Sequence, residues 1–192
     1  MRLQMKPNGF MVQPILGSVS RVGIPARNLW CTVTHSLILE TATLHWPDEA
    51  ACSQAARALA AAAPREAVIA LEGDLGAGKT TFTRHLLHAL GVQGRVKSPT
   101  YAILESYDVG WAVSHFDFYR FDDPQEWEDA GFRDVFAQPG LKICEWPQRV
   151  QGLIPTPDLA LQLRIGADEA RHVQAQAHST TGLQLLKALK SG

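Results

Sequence analysis

Gly73-Asp74-Leu75-Gly76-Ala77-Gly78-Lys79-Thr80 fits G-x-x-x-x-G-K-[ST], the loop that cradles nucleotide phosphates. Its glycines let the backbone curl so that successive N–H groups point inward at phosphate oxygens. Lys79 can then reach the β- and γ-phosphates, and the Thr80 hydroxyl can ligate Mg2+. The flanks separate such a site from a chance glycine-rich turn. Ala67-Val68-Ile69-Ala70-Leu71 is an apolar run of buried-strand length. The segment from Thr80 to Leu90 reads as a helix, with Leu86, Leu87 and Leu90 along one side and Gly91 as its stop. Strand, glycine-rich loop and helix together predict a nucleotide-phosphate site.

Outward from the loop the chain keeps an α/β rhythm. Pro47-Asp48-Glu49 opens an alanine-rich helix running to Ala63, with proline and acids in its first turn. Beyond the polar connection Lys97-Ser98-Pro99-Thr100, Tyr101 to Tyr107 reads as a strand. Asp108-Val109-Gly110 turns the chain back into a second strand, Trp111 to Phe118, as a hairpin. Asp123-Pro124-Gln125-Glu126 has the pattern of a capped helix start, and Gly131 ends that helix. Leu141 to Cys144 is another short strand. Leu159 to Ile165 and His172 to His178 form a strand pair, and Leu183 to Leu189 is a closing amphipathic segment. The expected architecture is an α/β P-loop NTPase-like sheet with flanking helices and antiparallel hairpins at its margin.

In such sheets ligands collect at the carboxyl ends of strands, which singles out two acids. Asp117 ends the strand carrying His115-Phe116-Asp117-Phe118-Tyr119-Arg120, and Glu145 ends Ile143-Cys144-Glu145. Phosphoryl chemistry on a magnesium nucleotide needs a carboxylate for the metal or its water, and often a group that orients the attacking water. The alternatives are a turn-capping aspartate and an ordinary strand-end glutamate. A phosphate loop in the same chain favours a functional role for at least one. Ser98-Pro99-Thr100-Tyr101 falls where a switch loop would cross the γ-phosphate, or forms a simple turn before a strand. Trp146 is placed either to stack on a base or partner or to fill the core, and Trp127 to pack.

Composition narrows the classes. With 192 residues, 18 basic against 19 acidic, one domain is expected, and neither a nucleic-acid-coating surface nor an acidic tail. Cys31, Cys52 and Cys144 lack paired spacing, which argues for a reducing, cytoplasmic setting over a disulfide framework. No apolar stretch reaches the roughly 20 residues that cross a bilayer. The seven histidines show no ligand spacing, so no metal is expected on them. Residues 1–43 read as an N-terminal extension, a disordered tail or a start assigned too far upstream, ahead of a domain spanning 44–192. Its first 39 residues carry Arg2, Lys6, Arg21 and Arg27 and no acid, but no continuous apolar core of a targeting segment.

These motifs resemble the TsaE (YjeE) family of small bacterial P-loop ATPases that serve threonylcarbamoyladenosine synthesis on tRNA. The resemblance rests on the loop through Thr81, then Val96-Lys97-Ser98-Pro99-Thr100-Tyr101, His115 to Arg120, Gly131-Phe132-Arg133-Asp134 and Glu145-Trp146-Pro147. It implies ATP and Mg2+ as cofactors. It also implies an accessory ATPase role for the paired proteins TsaD and TsaB, with tRNA met only through that complex. Phosphate contacts would come from Gly73, Asp74, Leu75, Gly76, Ala77, Gly78, Lys79, Thr80 and Thr81. Thr80 and Glu145 would sit on the metal, and Asp117 would be the acid required for hydrolysis. Thr100 would lie in the switch-like segment and Arg171 near the nucleotide. Cys52 departs from the family, standing where Thr or Ser is expected near the adenine. A small-molecule kinase would want an arginine-rich lid, and a GTPase an Asn-Lys-x-Asp stretch; neither is present. A nucleotide-gated binding module with negligible turnover is the remaining alternative.

Overall fold

The apolar run ahead of the phosphate loop becomes β2 (Ala67–Glu72), a central strand of a mixed sheet in a computed structural model that describes residues 37–192. The other strands are β1 (Glu40–Trp46), β3 (Leu104–Asp108), β4 (Ala112–Asp117), β5 (Leu141–Glu145), β6 (Leu159–Ile165) and β7 (Arg171–Ala177). Their order across the sheet is β1-β7-β6-β2-β5-β4-β3. The four inner strands β6, β2, β5 and β4 run parallel. The margins are antiparallel: β3 folds back on β4, β7 on β6, and β1 on β7.

Parallel strands must be covered on both faces, and period-two alternation supplies both. Ile69, Leu71, Leu141, Ile143 and Leu161 pack with Leu59, Phe82, Leu86 and Leu186 in one core. Those last four belong to α1 (Glu49–Ala61), α2 (Lys79–Ala89) and α5 (Thr180–Ser191). Phe116 and Cys144 project the other way, into an aromatic cluster with Phe118, Phe121, Trp127 and Phe132. That second cluster is roofed by α3 (Pro124–Asp129) and α4 (Phe132–Ala137). Trp127 is 1% exposed, a packing residue as expected.

Caps and turns follow the sequence signals closely. Asp48 accepts from Ala51 N at 2.8 Å and Asp123 from Gln125 N at 2.9 Å, each satisfying an orphan donor of a first helical turn. Asp108 does the same for Gly110 N at 2.8 Å in the β3–β4 turn. Three features differ from expectation. The chain boundary at residue 44 falls inside β1, which opens at Glu40 and pairs with Ala177, so residues 40–43 are part of the sheet. The signal was the alternation of Ala42, Leu44 and Trp46, which an edge strand with one buried face requires. Leu39 N also donates to Ala177 O at 2.8 Å, and residues 1–36 of the expected extension lie outside the described residues. Gly131 both stops α3 and, at φ 67°, opens α4. The strand expected from Tyr101 starts only at Leu104, because residues 99–103 form a turn closed by Ile103 N to Pro99 O at 2.6 Å.

Gly73 shows why the loop leaves β2 as it does. Its φ is +139°, and a Cβ there would fall 2.3 Å from the carbonyl oxygen of Leu163 on neighbouring β6. Gly73→Ala is expected to cost at least about 1–3 kcal/mol through strain and that clash. The measurement is the urea unfolding midpoint; an unchanged midpoint would mean the loop exits the sheet by another path.

Candidate functional site

Three strand ends converge on the phosphate loop. β2 runs straight into it, β5 lies beside β2, and β4 lies beside β5. The register places Asp117 directly across from Glu145, and Leu71 across from Glu145 on the other side. Residues 28 apart in sequence thus become lateral neighbours at the carboxyl edge of the sheet, where the topology rule expects a ligand.

Both acids are buried, Asp117 to 4% and Glu145 to 2% exposure, so their oxygens need partners. Glu145 Oε2 accepts from the Thr80 hydroxyl at 2.8 Å, and Oε1 pairs with His115 Nε2 at 2.9 Å. His115 Nδ1 is buried without a partner, which fits a ring carrying its proton on Nε2 and donating it to Glu145. Asp117 Oδ2 accepts from Thr100 Oγ1 at 2.7 Å and from Ser98 Oγ; Oδ1 accepts from Tyr119 N at 2.9 Å. A carboxylate offers about four lone-pair positions. Three donors therefore leave Asp117 room for one more, and two leave Glu145 room for about two.

Lys79 is 4% exposed and its ammonium is turned onto its own loop. It donates to Gly73 O at 2.6 Å and Asp74 O at 2.8 Å, and lies 4.0 Å from the centroid of the Trp146 ring. Burial lowers its pKa from the usual lysine value, while Glu145, Asp117 and Asp74 pull the other way. Trp146 is half-buried, tilted against Tyr119 with centroids 5.0 Å apart, so both expected roles remain compatible with its place. It sits at φ 59°, and Ile103 at φ 64°. Left-handed backbone at bulky residues costs about 1–3 kcal/mol each and concentrates at functional sites. Here one such residue follows Glu145 directly, and the other closes the turn that holds Thr100 against Asp117.

The geometry forms two recesses that share Gly78 and Thr81 in their walls. One, of about 300 Å³, is lined by the loop from Leu75 to Thr81, by Ser98, Thr100, Asp117 and Glu145, and by Tyr119 and Trp146. The second, of about 140 Å³, lies on the other side of Gly78 and Thr81, between Trp46, Pro47, Cys52, Leu163 and Arg171. Arg171 Nε donates to Ala77 O at 3.1 Å, so the residue braces the loop from β7. Cys52 is buried, and desolvation pushes its thiol up to about 11, leaving it a packing group with negligible thiolate at neutral pH. A further recess of about 320 Å³, beside Ala67, Gly140 and Lys142, lies at the amino ends of β2 and β5. Its lining holds the Glu66 and Asp158 carboxylates but no hydroxyl side chain, and it lies at the end of the strands opposite the one where ligands gather.

The donor set fits a small hard cation. Thr80 Oγ1, Glu145 and Asp117 present oxygens only, and two adjacent buried carboxylates face a single buried ammonium, an excess of negative charge that a divalent ion would offset. Of the residues singled out from the sequence, Lys79, Thr80, Thr100, Asp117 and Glu145 meet in one recess, and Arg171 stands behind it. His115 and Ser98 join them as direct partners of the two acids. The signal for His115 was its even spacing from Asp117, which puts both on the same face of β4.

A family model described as "Threonylcarbamoyl adenosine biosynthesis protein TsaE" matches residues 46–173. The chain is 40% identical to the tRNA threonylcarbamoyladenosine biosynthesis protein TsaE of Haemophilus influenzae over 125 residues, 65% of this chain and 78% of that protein. It is 37% identical to its Bacillus subtilis counterpart over 107 residues, 55% and 66% of the two chains. The crystal structure of Bacillus subtilis YdiB superposes with a TM-score of 0.65 at 26% identity, covering 79% of this chain and 95% of that one.

Proposed function

The chain belongs to the TsaE family of tRNA threonylcarbamoyladenosine biosynthesis proteins, and we propose that within that pathway it binds and hydrolyses Mg-ATP on behalf of a TsaD–TsaB complex. The observation that carries the reading is the meeting of Thr80, Glu145 and Asp117 beside the phosphate loop. Loop N–H groups from Gly76 to Thr81 would hold the β- and γ-phosphates, joined by the N-terminus of α2. Lys79 would exchange its bonds to Gly73 O and Asp74 O for phosphate oxygens, which keeps the ammonium paired throughout. Thr80 and Glu145 would hold Mg2+, which would supply positive charge to the phosphate oxygens.

Asp117 has one acceptor position left and lines the same recess. We assign it the attacking water, which it would orient and relieve of a proton as oxygen bonds to phosphorus and ADP departs. Ser98 and Thr100 hold that carboxylate in place and belong to the connection after α2. Nucleotide state is thereby linked to the position of residues 98–103. The second recess, with Cys52, Trp46 and Arg171, is the natural place for the nucleoside.

The testing experiment is phosphate release from ATP by the chain alone and with TsaD and TsaB. Among the described residues no arginine reaches the phosphate recess, so slow release alone and at least about tenfold faster release in the complex is expected. Background release in both conditions would instead favour a nucleotide-gated module without turnover. Transfer of phosphate to a small acceptor would make it a kinase.

A further inference from the structure

β1, the β6–β7 turn and β7 bring together a second set of ligating side chains, away from the carboxylates of the phosphate site. His45 on β1 and His172 on β7 are directly opposed in the antiparallel register, with ring centroids 5.0 Å apart. Asp168, in the turn between β6 and β7, reaches between them. Its Oδ2 lies 3.6 Å from His45 Nε2 and its Oδ1 3.7 Å from His172 Nε2. One ligand atom from each of the three residues lies within 4.8 Å of the others.

These separations are too long for good hydrogen bonds and close to what a shared ion demands. Metal–ligand bonds of about 2.0–2.1 Å at tetrahedral angles put neighbouring ligand atoms about 3.3 Å apart. The two contacts run to different oxygens of Asp168, and one ligand atom from each residue lies within 4.8 Å of the others, so closure onto one ion is by rotation of exposed side chains. Gly166 supplies an independent sign of a built cradle. A Cβ there would fall 2.4 Å from Asp168 Oδ1 and 2.6 Å from His172 Nε2, so the two ligand atoms converge on the space that glycine leaves open. Asp168 is further held by Ala170 N at 3.2 Å. All three side chains are about half-exposed, which leaves the remaining coordination positions to water.

We propose that His45, Asp168 and His172 form a binding site for one divalent first-row transition cation of the zinc class. Two imidazoles with one carboxylate suit such a borderline ion; Mg2+ prefers the all-oxygen set at Thr80 and Glu145. The ion clamps the β6–β7 turn to β1. That turn also carries Glu169, whose carbonyl accepts from Arg171, and Arg171 in turn braces Ala77 of the phosphate loop. Metal at the turn therefore stiffens a support of the nucleotide site.

The test is calorimetric titration of Zn2+ into the tag-free full chain with excess Mg2+ present, beside His45→Ala/His172→Ala and, separately, Gly166→Ala. The wild type is expected to bind one ion more than the double histidine variant, or the same ion at least about tenfold more tightly. Gly166→Ala, which keeps every ligand but fills the cradle, should weaken binding in the same direction. Broadening or shift of the His45 and His172 imidazole resonances on Zn2+ addition would locate the ion. Equal zinc uptake by wild type and double variant, or none by either, would overturn the proposal.

Discussion

Lys79→Ala is expected to remove measurable ATP binding. In the nucleotide complex the ammonium would replace two carbonyl partners with phosphate oxygens, and a hydrogen bond to a charged group contributes about 1.5–3 kcal/mol. Loss of two such bonds predicts at least about a hundredfold weaker affinity. Glu145 and Asp117 act electrostatically on the Lys79 ammonium, so the charge balance of the buried site also changes in the variant, and its melting curve should be recorded beside the titration. Isothermal titration with ATP and Mg2+ reads the effect. An affinity within threefold of wild type in a folded variant would mean the loop binds through its amides alone, with Lys79 remaining on Gly73 and Asp74.

Asp117→Ala separates chemistry from binding. The carboxylate touches Ser98, Thr100 and the Tyr119 amide but no residue of the loop itself, so ATP affinity should stay within about threefold. Turnover should fall by about 10²–10⁴, the contribution of a positioned general base. Removing the carboxylate also leaves the Tyr119 amide without its acceptor, a stability cost of about 1–3 kcal/mol. Asp117→Asn keeps an oxygen for that amide and turns an NH2 donor toward the Ser98 and Thr100 hydroxyls, which can accept from it, while removing the base; it should reproduce the loss of turnover with less loss of stability. Normal turnover in either variant would transfer the water-orienting role to Glu145, which has acceptor capacity left after Thr80 and His115.

Legibility from sequence was greatest where structure is local. The strand–loop–helix around Gly73 and the caps at Asp48 and Asp123 are short-range patterns, each governed by backbone geometry within a few residues. The hairpin turn at Asp108 to Gly110 belongs with them. Edges and irregular turns were less legible. β1 carries only three inward side chains, Ala42, Leu44 and Trp46, and is recognisable as a strand chiefly because β7 offers it a partner. The turn at residues 99–103 takes in Tyr101 to Ile103, which look like the start of a strand by composition. It is bent because two of its neighbouring hydroxyls satisfy a buried aspartate instead.

By itself the sequence determined that the chain carries a phosphate-loop pattern between a strand and a helix, and which acids stand at strand ends, because those statements depend on residue types at fixed short spacing. Only the tertiary structure decided that Asp117 and Glu145 stand side by side, that His115 supports one and Ser98 the other, and that His45 meets His172. Each of those contacts is set by the register of strands distant in the chain, and a shift of one residue would turn the side chains to the opposite face.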